Sequence, residues 1–70
     1  MRLNPVKLKI YQAGLTMAEI AREGGFDRSV VMKTVDLKRF NPDVQDYIAR
    51  LLNEPGESIF GEHYWRRRAS

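Results

Sequence analysis

Seventy residues with no cysteine and a single histidine, His63, limit the chain to one domain without disulfides, thiolate metal sites or a histidine metal cluster. Apolar residues at 43% and charged residues at 30% suit a folded chain with a small core, and no apolar run approaches the roughly 20 residues of a membrane span. The net charge of +3 is unevenly sorted: residues 1–40 carry eight bases and four acids, residues 41–63 one base and five acids, and the remainder Arg66, Arg67 and Arg68. That order is basic, acidic, basic. It fits a front that binds polyanions and a separate acidic back, or ordinary solubilising charge. A cytoplasmic address is expected. So is the absence of a cofactor, a metal, a membrane partner and a small-molecule substrate.

The first element opens at Asn4-Pro5, an asparagine cap followed by proline at the first helical position. The alternation Val6-Lys7-Leu8-Lys9-Ile10 fits a short strand as well. The cap favours a helix over 5–13, with Val6 and Ile10 on one face, Leu3 leading in, and Gly14 ending it. Thr16 and Glu19 then form a capping box, in which each side chain satisfies an amide at the helix start. A helix over 17–23 follows, with Ile20 and Ala21 inward, and stops at Gly24-Gly25. Asp27 caps a third helix over 28–35. Val31 and Val35 face the core there, and Arg28, Ser29, Met32 and Lys33 lie on the other side. Residues 36–40 connect. Asn41-Pro42 repeats the cap and proline, and opens a fourth helix over 42–53 with Val44, Ile48, Leu51 and Leu52 as its stripe. After Asn53-Glu54-Pro55-Gly56, the pair Ile59-Phe60 packs back on the core, ahead of Tyr64, Trp65 and three arginines. The expected fold is an all-α bundle of four to five helices.

The second helix, the glycine turn and the third helix together read as a helix-turn-helix. Ala21 is the small residue that lets the second helix of the pair approach. Gly25 supplies a positive backbone angle in the turn, and Val31 locks the pair from inside, with Ile20 and Phe26 filling in. Gly24 and Thr34 stand where apolar residues are usual. A helix pair with a glycine turn also occurs in purely structural bundles. The leading helix, the small size and the basic front favour DNA binding.

The segment Leu15-Thr16-Met17-Ala18-Glu19-Ile20-Ala21-Arg22 through Gly25-Phe26 resembles the lambda-repressor-like helix-turn-helix domains. It is most similar to the small Ner-like DNA-binding proteins of Mu-type phages and prophages. They too follow the fourth helix with a proline turn, an Ile-aromatic pair and a tyrosine, here Pro55, Ile59-Phe60 and Tyr64. The likeness spans residues 6–64. In size and motif the chain is similar as well to the small regulators encoded beside anti-CRISPR genes. The resemblance implies a transcriptional regulator, generally a repressor acting near its own promoter. The expected layout is a DNA-binding domain over 1–64 and a basic tail over 65–70.

At such an interface Arg28 and Ser29 open the reading helix, and Arg28 suits a bidentate bond to guanine. Lys33 reaches a base or a phosphate. Met32 either touches a thymine methyl or is an exposed or dimer-facing methionine. Thr16 and Met17 start a helix whose amino end commonly faces phosphate. Lys38, Arg39, Arg66 and Arg67 are phosphate candidates and equally ordinary surface charges. Tyr64 and Trp65 with the arginines have three readings: stacking on nucleic acid, a dimer anchor, or a loose tail. His63 beside Glu62 lacks the nucleophile or second histidine that acid-base catalysis would need, so it reads as an exposed tail histidine and no enzyme is expected.

One reading helix covers only a few base pairs. A homodimer on an inverted repeat of double-stranded DNA is therefore expected, joined through helix four, the Ile59-Phe60 segment or the aromatic tail. Two rival classes stand beside it. One is a protein-interaction module, such as an antitoxin-like partner using the acidic face of helix four. The other is a non-specific nucleic-acid or membrane-surface binder driven by the arginines.

Overall fold

Residues 4–65 are described by the computed structural model. Five helices follow in order: α1 (Pro5–Gln12), α2 (Met17–Gly24), α3 (Arg28–Val35), α4 (Pro42–Leu52) and α5 (Gly56–Phe60), then a 3-10 turn over Gly61–His63. Among the described residues there is no strand. The run from Val6 to Ile10 is helical, because Asn4 accepts the Lys7 N–H at 2.8 Å and Pro5 sets the first helical angle. Thr16, Asp27 and Asn41 cap the next three helices in the same way, at 3.1, 2.9 and 3.1 Å. The segment expected only to pack back, Ile59-Phe60, lies in a helix of its own.

The helix ends share one device. After each of α1 to α4 the chain enters the left-handed region, at Gly14, Gly25, Leu37 and Asn53. The next amide returns to a carbonyl five residues back: Leu15 to Ile10, Phe26 to Ala21, Lys38 to Lys33, Glu54 to Ala49. This bond satisfies carbonyls that the helix leaves open and reverses the chain within two residues. It lets four short helices close on one core. None of the helices is long and apolar enough to cross a membrane among the described residues.

Val6, Ile10, Ile20, Val31, Val35, Val44 and Ile48 form the centre of the core. Leu51, expected on the α4 stripe, is instead 37% exposed, and Gln45 and Ala49 share the buried face with Ile48. Gln45 is 0% exposed. Its burial is possible because both ends of its amide are paired: Nε2 donates to the His63 carbonyl at 2.9 Å, and Oε1 accepts the Trp65 N–H at 3.0 Å.

That pairing draws Tyr64 and Trp65 into the fold. Tyr64 is 4% exposed and its hydroxyl donates to Asp46 Oδ1 at 2.6 Å. Its ring lies on Gly56, where a Cβ would fall among the ring atoms. Trp65 packs against the core, its indole N–H 3.4 Å from Asp46 Oδ1. Both aromatics therefore pack on the helices. Ile59 and Phe60 are buried in the same monomer. His63 is half-buried rather than exposed, stacked on Phe40 with ring centroids 6.2 Å apart.

Candidate nucleic-acid interface

α2 and α3 pack on each other more extensively than any other pair of elements. Gly25, at φ 73°, makes the turn between them, and the Phe26 N–H returns to the Ala21 carbonyl at 2.8 Å. Ala21 and Val31 are both buried at the contact. The two residues that fit the motif poorly have physical explanations. A Cβ on Gly24 would stand 2.5 Å from the Phe26 ring and 3.0 Å from Tyr47, whose rings meet edge to face at 5.6 Å. The Phe26 ring therefore fills the space that an apolar side chain at Gly24 would otherwise take. Thr34 is fully buried, and its hydroxyl donates to the Val30 carbonyl at 2.7 Å, so no polar atom is left open.

Arg28, Ser29, Met32 and Lys33 are all exposed, Met32 at 40%. At one- and four-residue spacings they share the side of α3 that turns away from Val31 and Val35. Lys38 and Arg39 are exposed on the connection that follows. Neither these two nor Arg28 or Lys33 is in an ion pair with another described residue. Two other bases of the front are engaged: Lys7 with Asp36 and Lys9 with Glu54, each at 3.0 Å. The basic front is thus narrower than the residue count suggests. The Lys9 ammonium and the Ser58 hydroxyl, both donating to Glu54, hold its carboxyl below the ordinary glutamate range.

Thr16 and Met17, at the start of α2, both have side chains engaged within the fold. The Thr16 hydroxyl accepts the Glu19 N–H and donates to the Glu19 carboxylate, both at 3.1 Å. The Met17 side chain is buried in the core. Arg66 and Arg67 lie outside the described residues. An open groove of about 520 Å³ along the end of α4, lined by Asp46, Ala49, Arg50, Asn53, Glu54 and Pro55, includes none of the expected site residues.

Sequence reasoning did not single out Gln45, Gly56 or Leu37, nor the second role of Asn4, whose Nδ2 donates to the Val35 carbonyl at 3.1 Å. One signal was there to find: Gln45 lies one residue from Val44 and three from Ile48, on the buried side of the helix. Comparisons of the chain with protein-family models, curated proteins and solved structures find no match.

Proposed function

We propose that the chain is a sequence-specific DNA-binding regulator that places α3 in the major groove. One observation carries this reading. A two-turn helix buries Val31, Thr34 and Val35 completely while presenting Arg28, Ser29, Met32 and Lys33 together to solvent, the two cations without an acidic partner among the described residues. A helix so mounted has the width to enter a major groove, and its front carries donors for base edges. Lys38 and Arg39 follow as phosphate contacts that set position rather than sequence. The regulator acts as a repressor of its own phage or prophage operon, in a homodimer on an inverted repeat. Two copies double the contacts that a single short helix can make. Of the segments expected at the dimer contact, α4 keeps a large apolar side chain exposed, Leu51.

A gel shift against the protein's own upstream DNA, with a scrambled duplex as competitor, tests the proposal. Retention of the upstream fragment against excess scrambled DNA supports it. Equal competition by both duplexes refutes sequence-specific binding.

A further inference from the structure

The inner face of α3 is apolar, and apolar packing resists separation more than it resists rotation or sliding, because it has no direction. A helix of eight residues is also too short to hold itself. Directional bonds at its ends add to what packing and the turn from α2 already fix of its orientation. At the front, Asp27 caps the Ser29 N–H. At the back, the last four carbonyls can be followed one by one. Met32 accepts from Asp36, Lys33 from Lys38 and Thr34 from Leu37, all within the terminal turn. Val35 is the last. Its carbonyl accepts from Asn4 Nδ2, thirty-one residues away in sequence.

Asn4 is occupied at both ends of its amide. Oδ1 caps α1 through the Lys7 N–H, and Nδ2 reaches α3. Lys7, one turn on, pairs with Asp36 at 3.0 Å, next to Val35. Two side chains from the first turn of α1 therefore grip two consecutive residues at the end of α3. Leu37, held left-handed at φ 64° where a leucine is strained, turns the chain away at the same point. We infer that Asn4, with Lys7, is a positioning residue for recognition: it latches the back of α3 and so fixes the angle at which the front meets DNA.

The lever is long enough to matter. With the back released, the end of α3 still tied to α2 is the front, where Phe26 bonds Ala21 and Asp27 caps the helix; Lys33 lies about 9 Å along the helix from Asp27, so a rotation of about 10° about that end moves it about 1.5 Å and tilts the whole reading face. Such a tilt changes which base edges Met32 and Lys33 meet and the angle at which Arg28 enters, whereas Lys38 and Arg39, exposed on the connection, follow a phosphate easily. Releasing the latch should cost discrimination between sequences before it costs affinity for DNA as such. The inference rests on the reading of α3 as the element that meets DNA.

Asn4→Asp separates the two roles of the side chain. Aspartate still accepts the Lys7 N–H and caps α1, but cannot donate to Val35. Asn4→Ser also lacks that donor and adds no charge. The probes are a duplex recovered by the wild-type protein from a random-sequence pool, and a scrambled duplex of the same composition. Both variants should keep the wild-type helical signal and scrambled-duplex affinity, and lose about fivefold in preference for the recovered duplex. Residual dipolar couplings of the free variants should show α3 tilted relative to α2. Wild-type preference in both Asn4 variants, alongside a loss in Arg28→Ala, overturns the latch and leaves the reading of α3 intact. Unchanged preference in Arg28→Ala strikes the reading of α3 instead. In that case the couplings still decide the latch, and an α3 orientation equal to wild type in both Asn4 variants refutes it.

Discussion

A glutamine at the centre of a 70-residue domain needs a reason, and Gln45 has one. Its amide substitutes for a neighbouring strand, pairing the carbonyl of His63 and the N–H of Trp65. Gln45→Leu keeps the volume and removes both bonds, leaving two main-chain groups short of partners. We expect a loss of about 2 kcal/mol in unfolding free energy, with the helical signal retained, measured by urea titration. A variant as stable as wild type would mean that water replaces both bonds without cost. Beyond its place beside Val44 and Ile48, nothing in the sequence marked Gln45, because its partners are main-chain atoms that any residues at positions 63 and 65 would supply. Leu37 was hidden for a related reason. Its left-handed angle follows from the bonds of Leu37 and Lys38 back to Thr34 and Lys33, and leucine itself gives no sign of it. Caps are different: Asn4, Thr16, Asp27 and Asn41 act on amides two or three residues away, so the chemistry was legible locally.

At the scale of elements, α5 and the chain after it behave as one strap across α4. Gly56 is the seat of Tyr64, and Tyr64 reaches Asp46. Gly56→Ala pushes a methyl group into the Tyr64 ring, so the ring and its bond to Asp46 must move together. The expected cost is about 2 kcal/mol, with a loss of near-ultraviolet circular dichroism from the aromatic residues. An unchanged melting temperature would count against this packing. The tie between α1 and the end of α4 depends on acid. The folded Glu54 carboxyl sits below its ordinary value of 4.5, so the stabilisation is complete above that value and is lost as pH falls through the lowered one. Glu54→Gln should flatten the melting-temperature profile on the acid side and leave it unchanged in shape at neutral pH. A variant with the wild-type acid slope would assign that slope to other carboxylates. The four main helices were readable from the chain because each opens on a cap, and α1, α2 and α4 also end on a glycine or asparagine; only the end of α3, at Leu37, was unmarked. The fifth was not readable, since Gly56–Phe60 has no side-chain cap and only five residues.

Over the whole molecule, ion pairing divides the cations of the described residues into two groups. Lys7 and Lys9 tie α1 to the rest of the fold, while Arg28, Lys33, Lys38 and Arg39, like Arg22 and Arg50, have no acidic partner among the described residues. Segment charge alone could not make that division, because the acids that engage Lys7 and Lys9 come from residues 36 and 54. The spacing of Ala21, Gly25 and Val31 did indicate which side of α3 is buried, and hence which side is open. If the open side reads DNA, two substitutions should differ in kind. Lys38→Ala should weaken binding to every sequence alike and reduce the salt slope by about one unit for each phosphate no longer neutralised. Arg28→Ala should leave the fold and the non-specific affinity near wild type while costing about 1–3 kcal/mol per half-site on the preferred duplex. The most direct measurement is therefore a fluorescence-anisotropy titration of wild type and Arg28→Ala on the preferred and scrambled duplexes at several salt concentrations. A selective loss on the preferred duplex is the predicted result. Equal affinities of the two proteins for that duplex would contradict the assignment of α3 as the element that reads sequence.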